Sequence, residues 1–206
     1  MKKPVVEFIG TFFLVFAVGS TAASGISASV APLAIGAVLT AMIFAGGHVS
    51  GAHYNPAVTI AFYLRGTTRT GEILPYVGAQ LLAALAAAAL IRFVHSPGEL
   101  AAASLSTGPS LVAEFLFTFA LVYVILNVAS AKGTEGNSYY GLAIGLTVAG
   151  GAYAVGPVSA AVFNPAVALG GMTLGILPWS AIWIYLLANF AGGVAAAVVF
   201  RVTSDD

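Results

Sequence analysis

Long runs of apolar residues alternate with short polar stretches along the chain of 206 residues. Six runs reach about 18 residues or more, and an α-helix of that length, rising about 1.5 Å per residue, crosses the hydrocarbon core of a bilayer. These runs cover residues 4–24, 30–47, 73–94, 110–131, 139–156 and 179–201. The pattern predicts six transmembrane helices.

Two shorter apolar segments, 55–64 and 164–175, lie between these runs. With about 10–12 residues each, they are too short to cross a bilayer and have the length of a segment that enters the membrane and returns on the same side. The predicted fold class is an all-α membrane protein with six transmembrane helices and two re-entrant half-helices.

The composition supports this prediction and excludes several functions. Hydrophobic residues make up 60% of the chain and charged residues only 7%, whereas a soluble domain carries about 25% charged residues. The net charge is zero, so there is no basic face for a nucleic acid. Cysteine is absent, which excludes disulfides, thiol nucleophiles and cysteine metal sites. A secreted module, a nucleic-acid binder and an ordinary cytosolic enzyme are therefore excluded.

The basic residues predict the orientation in the membrane. The N-terminus, the second and fourth connections and the C-terminal end hold Lys2, Lys3, Arg65, Arg69, Lys132 and Arg201. Only Arg92 lies at the third connection. Because basic residues favour the cytoplasmic side, both termini of this multi-pass protein are expected in the cytoplasm. The short tails and missing cysteines favour a prokaryotic plasma (inner) membrane.

The second half of the chain repeats the first at a constant offset. Residues 33–36 and 142–145 both read Leu-Ala-Ile-Gly, and residues 55–58 and 164–167 both read Asn-Pro-Ala-Val. The same offset relates Tyr76 to Tyr185, Gln80 to Asn189 and Arg92 to Arg201. Glu7-Phe8 recurs as Glu114-Phe115 with a small slip in the register. The sequence therefore predicts a duplication.

The repeat predicts one channel domain, residues 1–206, made of halves at approximately 4–95 and 110–201. Each half holds three predicted spans, and because three is odd, the second half enters the membrane from the opposite side. The two short segments are then expected to enter from opposite faces and to meet near the midplane. The pairing also argues against reading the first run, with Lys2 and Lys3, as a removable secretory signal.

Each short segment begins with Asn-Pro-Ala, at residues 55–57 and 164–166. Asn is a preferred N-cap and Pro suits the first helical position. Residues 47–54 and 156–163 are expected to form irregular backbone, which is tolerated at membrane depth only beside protein or a water-filled cavity. The carbonyl groups expected to line the pore belong to Gly51, Ala52, His53, Ala160 and Val162. The side chains of Asn55 and Asn164 are expected to donate into the lumen.

The two Asn-Pro-Ala boxes occur together with Ser-Gly-Ala-His-Tyr at 50–54, Gly-Pro-Val-Ser at 156–159, and the glutamates Glu7 and Glu114. This combination resembles the aquaporin (major intrinsic protein) family. The resemblance covers residues 4–201. It implies a six-helix channel, a homotetramer with one pore in each subunit, and passive flow of water or small uncharged solutes. It also implies that pore residues include Asn55, Pro56, Ala57, Asn164, Pro165 and Ala166.

The resemblance also implies a selectivity filter at Ile35, Ala152, Ala161 and Val167. Water-selective members of the family have an aromatic residue, a histidine, a small residue and an arginine there. This chain departs from that pattern, because no arginine occurs between Arg92 and Arg201 and Val167 occupies the arginine position. A wide apolar neck is expected, passing glycerol, urea, ammonia or neutral metalloid hydroxides such as arsenite and methylated arsenicals. A strict water channel is the alternative.

Other polar residues within the apolar runs are expected to support the pore. Glu7 and Glu114 are predicted to accept hydrogen bonds from the irregular loops, with Gln80, Asn189 and His48 in the same supporting group. The alternatives are proton coupling by the two glutamates in a secondary transporter, and a pH gate at His48.

No nucleophile–base pair or metal-ligand cluster is recognisable, so we expect no catalysis, no cofactor and no metal. The remaining alternative is a structural membrane protein whose apolar neck is closed by dewetting.

Overall fold

The computed structural model describes residues 1–26, 29–96, 98 and 100–204. Within them the chain forms eight α-helices: α1 Lys2–Ala23, α2 Ala31–Ser50, α3 Pro56–Arg65, α4 Thr70–His95, α5 Thr107–Ser130, α6 Tyr140–Ser159, α7 Pro165–Leu174 and α8 Ile182–Thr203. Short 3-10 turns at Lys132–Thr134 and Trp179–Ala181 precede α6 and α8. Among the described residues, six helices are long and apolar enough to cross a membrane. The prediction of an all-α membrane protein with six spans is confirmed.

The two short helices begin and end in the same way. The side chains of Asn55 and Asn164 each accept a hydrogen bond of 2.9 Å from a backbone N–H of the first helical turn. A proline follows each asparagine at the first helical position, where no N–H donor is required. Each helix has ten residues and ends at a glycine, Gly66 or Gly175, whose φ of 89° is left-handed.

The longer helices extend closer to the Asn-Pro-Ala boxes than expected. The regular hydrogen bonding of α2 continues to Ser50, and that of α6 continues to Ser159. The predicted irregular segments, residues 47–54 and 156–163, therefore began too early. The irregular backbone covers only residues 51–55 and 160–164. The reason is that left-handed residues end the helices, at Gly51 with a φ of 88° and at Ala160 with a φ of 65°.

The packing joins the two halves across the molecule. Within each half the first helix packs on the last, α1 on α4 and α5 on α8, while α2 and α6 pack on one another. The short helices cross over, because α3 packs on α8 and α7 packs on α4. Lys3 Nζ lies 2.7 Å from Glu72 Oε1, which places the starts of α1 and α4 on one surface, here called the N-terminal face.

Glycines allow α2 and α6 to cross closely. A Cβ atom added at Gly145 would lie 2.4 Å from the carbonyl oxygen of Gly36, and one added at Gly36 would lie 2.6 Å from the carbonyl oxygen of Gly145. Neither position has space for a methyl group unless the backbones separate. Small residues at such crossings let membrane helices gain van der Waals contact where water supplies no driving force.

Gly145→Ala tests this crossing. Overpacking of this kind costs about 1–3 kcal/mol of folding free energy, so we expect a lower midpoint of thermal unfolding in detergent. The folded fraction that remains after heating is measured by size-exclusion chromatography. The matched control is Gly150→Ala on the same helix, where an added Cβ meets no atom within 4 Å. Equal midpoints for the two variants would contradict the packing argument.

Candidate functional site: the central solute pathway

The two Asn-Pro-Ala boxes meet at the centre of the molecule. Asn55 Nδ2 donates to the carbonyl oxygen of Phe163 at 2.8 Å, and Asn164 Nδ2 donates to the carbonyl oxygen of Tyr54 at 2.9 Å. Each asparagine thus bonds the residue that precedes the other box. An amide nitrogen carries two N–H groups, so the second one of each asparagine is available to the cavity that both side chains line.

A buried carboxylate holds the loop before the first box. Glu7 Oε1 accepts from Ser50 Oγ at 2.6 Å and from the backbone N–H of His53 at 2.9 Å. Glu7 Oε2 accepts from the backbone N–H of Tyr54 at 2.7 Å and from Gln80 Nε2 at 2.9 Å. Glu7 is fully buried, so these four donors take the place of water around its charge.

The second half repeats this arrangement around Glu114. Its Oε1 accepts from Ser159 Oγ and from the backbone N–H of Val162, both at 2.8 Å. Its Oε2 accepts from the backbone N–H of Phe163 at 2.7 Å and from Asn189 Nδ2 at 2.9 Å. Each carboxylate therefore binds a serine, two consecutive loop N–H groups and one side-chain amide.

The loops held by these carboxylates have strained backbones. Ala52, Tyr54, Ala161 and Phe163 have φ values of 51°, 49°, 51° and 49°, in the left-handed region that non-glycine residues rarely adopt. Such a conformation costs about 1–3 kcal/mol per residue and persists only where the surroundings over-determine it. The hydrogen bonds from the loop N–H groups to the two glutamates hold the loops in this conformation.

Two tyrosines that the sequence placed in the repeat, without a role, complete the support. Tyr76 Oη donates to the carbonyl oxygen of Ser50 at 2.7 Å, and Tyr185 Oη donates to the carbonyl oxygen of Ser159 at 2.8 Å. These bonds satisfy carbonyl groups at the ends of α2 and α6. The only sequence signal was that the two tyrosines are equivalent positions of the repeat.

The two histidines near the first box have different surroundings. His53 is buried with its ring centroid 4.5 Å from that of Phe62, and its Nδ1 lies 3.2 Å from Thr59 Oγ1. His48 lies at the N-terminal face, where it lines two open cavities. In the part of the chain that the structure describes, no hydrogen bond joins the His48 side chain to either loop. The structure therefore does not place His48 in the supporting group.

A narrow cavity of about 100 Å³ runs past both asparagines. All four expected filter positions line it, namely Ile35, Ala152, Ala161 and Val167, and so do Ala52, His53, Ala160 and Val162. The rest of the wall is mainly apolar and includes Leu14, Val18, Leu39, Ile43, Val58, Leu121, Ile125, Ile144 and Val148. The cavity is therefore lined by both asparagines and by residues of both loops, within a mainly apolar wall.

A second cavity of about 530 Å³, here called the vestibule, lies beside the narrow cavity on the N-terminal side. Ile43, Ala52, Ile125 and Ile144 line both spaces. Gly51, expected at the pore wall, lines the vestibule and not the narrow cavity. These shared residues place the two spaces next to one another, between that face and the centre of the bundle.

Six membrane-length helices around a central path between two opposed half-helices define a membrane channel. A family model described as "Major intrinsic protein" matches residues 1–200. The chain belongs to the major intrinsic protein family, whose members are channels and not enzymes.

Curated relatives and a solved structure support this assignment. The chain is 37% identical to aquaporin NIP1-4 of Oryza sativa subsp. japonica over 217 residues, which is 100% of this chain and 79% of the relative. It is 35% identical to nodulin-26 of Glycine max over 212 residues, covering 98% and 78% of the two chains. The aquaglyceroporin from Plasmodium falciparum has the same fold, with a TM-score of 0.85, 22% identity and coverage of 98% and 95%.

Glu114→Gln tests the role of the carboxylate. A glutamine amide turns N–H donors toward the donors of the loop, and one buried N–H left without an acceptor costs about 1–3 kcal/mol. We expect a lower folded yield and a lower midpoint of thermal unfolding in detergent. The matched control is Glu135→Gln at an exposed position. Equal stability of the two variants would show that the carboxylate does not hold the loop.

Proposed function

We propose that the chain is a passive channel for water and small uncharged solutes, with a wide neck that contains no arginine. The observation that carries this proposal is the position of Val167. It lies three residues after Asn164 in the first turn of α7 and lines the narrow cavity together with Ala152 and Ala161. All three side chains are small and apolar.

An arginine at Val167 would change this neck in two ways. A guanidinium group fills more space than an isopropyl group, and it adds several N–H donors and a fixed positive charge. Valine leaves a wider opening that a solute crosses without competing with a cation. Exclusion by size is therefore weak at this position, and exclusion of cations depends mainly on the positive ends of the two half-helices and on dehydration.

The lining indicates the class of solute. Apolar walls suit a molecule with hydrocarbon or metalloid surface, and the two asparagine amides donate to hydroxyl or carbonyl oxygens. Glycerol, neutral arsenite and methylated arsenicals combine these properties without a charge, and urea is small and uncharged and offers a carbonyl oxygen to the amides. The similar protein from Plasmodium falciparum is an aquaglyceroporin, which agrees with a solute larger than water.

The hydrogen bonds of the glutamates favour a channel over a proton-coupled transporter. Each carboxylate accepts four hydrogen bonds. A proton on either group would displace a donor and release a strained loop. Glu7 and Glu114 are therefore assigned to support of the loops, and transport needs no proton.

We further propose a plasma (inner) membrane location with both termini in the cytoplasm, because the N-terminal face holds most of the basic residues. Apolar side chains on the outer surface of the bundle face lipid or neighbouring copies, among them Phe13, Leu82, Val112, Leu146 and Val198. A homotetramer with one path in each subunit fits this surface, and native mass measurement in detergent tests it.

Stopped-flow light scattering on purified protein in liposomes tests the function. Impermeant sucrose shrinks the vesicles at a rate set by water flow, whereas glycerol, urea or neutral arsenite causes shrinkage followed by re-swelling if the solute passes. Re-swelling above the level of empty liposomes supports the wide neck. Fast shrinkage without re-swelling indicates a strict water channel, no flux indicates a closed structural protein, and uphill uptake driven by a pH gradient indicates a transporter.

Val167→Arg is expected to reduce solute re-swelling at least tenfold while water flow falls less, because the guanidinium narrows the neck. Val167→Met is the matched control, since it adds length without charge or donors. The outcome against the proposal is solute flux in Val167→Arg equal to that of the parent.

Mercury sensitivity tests which residues line the path. The chain has no cysteine, so mercurial reagents are expected to leave its flux unchanged. Ala152→Cys places a thiol at the neck, where a bound mercury ion should block water and solute flux until an excess of a competing small thiol removes the ion. Val112→Cys on the outer surface of α5 is the control and is expected to remain insensitive. A block of the parent chain by low mercury would argue against this assignment.

A further inference from the structure

Two arginines at equivalent positions of the repeat bind the outer ends of the two half-helices. Arg92 Nη2, near the end of α4, donates to the carbonyl oxygen of Thr173 at 2.8 Å. Arg201 Nη2, near the end of α8, donates to the carbonyl oxygen of Leu64. Thr173 lies in the last turn of α7 and Leu64 in the last turn of α3, and these two acceptors are also equivalent positions of the repeat.

This contact connects the halves reciprocally. Arg92 belongs to the first half and binds the half-helix of the second, whereas Arg201 belongs to the second half and binds the half-helix of the first. Both arginines approach a helix end where free carbonyl groups carry partial negative charge. The same donor, acceptor and helix end recur in both halves, so the contact is a built feature of the fold.

We infer that Arg92 and Arg201 are positioning and charge-selectivity residues of the channel. They cancel the negative ends of the half-helix dipoles and so leave the positive ends at the asparagines uncompensated. This inference rests on the proposed passive channel. It concerns cation exclusion, which in this chain has no help from an arginine at Val167.

The effect reaches the centre of the path because the half-helices are short. Ten residues at about 1.5 Å each span about 15 Å, so the two ends of one dipole partly offset each other at the asparagines. A cation at the outer end removes the offset and adds its own positive potential. A hydronium or sodium ion at the boxes therefore meets a higher barrier, whereas a neutral solute does not.

The C-terminal ends of the two half-helices differ in their basic residues. The last turn of α3 contains Arg65, whose guanidinium carbon lies 5.1 Å from the ring centroid of Phe200. The last turn of α7, all of whose residues are described, contains no basic residue. Removal of the charge at Arg92 therefore leaves α7 without a cation in its own last turn, while removal of the charge at Arg201 leaves Arg65 at α3. Arg92 is expected to contribute more.

The test measures proton flux and water flux on the same proteoliposomes. Proton flux is followed with an internal pH dye while valinomycin and potassium hold the membrane potential, and water flux is followed by stopped-flow scattering in sucrose. For Arg92→Met we expect the ratio of proton flux to water flux to rise about two- to fivefold. For Arg201→Met the rise is expected to be smaller, and for the double variant larger than for either.

Further variants separate charge from structure. Arg92→Lys keeps the charge and is expected to retain the parent ratio. Arg92→Gln keeps a donor for the Thr173 carbonyl oxygen without the charge, so it is expected to leak like Arg92→Met and replaces it if the methionine variant does not fold. Lys2→Met removes an exposed charge at the start of α1 on the N-terminal face, outside both half-helices and the turns that end them, and is expected to leave the ratio unchanged.

Three results would overturn the inference. They are a parent-like ratio in both neutral Arg92 variants, a lysine variant that leaks as much as the neutral ones, and an equal rise in Lys2→Met. In each of these results the parent still passes water and solute. Failure of the proposed function is distinct, because the parent itself then passes neither water nor solute, and the inference falls with it.

Discussion

Backbone N–H groups inside a bilayer need an acceptor, and in this molecule the buried carboxylates of Glu7 and Glu114 supply it. Residues 51–55 and 160–164 leave regular helix at the depth of the membrane, where an unpaired polar group costs several kcal/mol. Each carboxylate accepts two consecutive loop N–H groups together with a serine and an amide side chain. Without these acceptors the non-helical path through the membrane would not be stable.

The positions of the asparagines depend on those loops. Because Tyr54 and Phe163 are held by the glutamates through their N–H groups, their carbonyl oxygens are fixed where Asn164 and Asn55 donate to them. One rigid network therefore runs from one half through both boxes to the other half. Both asparagines, His53, Tyr54 and Val162 line the cavity and belong to this network, so the network fixes that part of the cavity wall.

Hydropathy and the internal repeat predicted most of the fold and both boxes, because span length, Asn-Pro helix starts and duplication all leave local signals. They placed the ends of α2 and α6 too early, since the glycines and Pro157 that precede Ser50 and Ser159 resemble a loop although the helices continue there. The roles of Tyr76 and Tyr185 depend on contacts between distant elements, and so does the position of His48 at the vestibule. No local pattern encodes such contacts.

The two halves agree in the network and differ in the residues around it. Gln80 Nε2 makes its second hydrogen bond to Thr59 Oγ1 on α3, whereas Asn189 Nδ2, on a side chain one methylene shorter, makes its second to Thr118 Oγ1 on α5. His53 in the first half corresponds to Val162 in the second, and only their backbone N–H groups share a partner type. Because the scaffold bonds are made by backbone and by buried polar groups, the lining side chains are free to vary. A cavity wall of valine and alanine at these positions is therefore compatible with the same loops and half-helices, and under the proposed function a change of these side chains alters solute choice without any change in the fold.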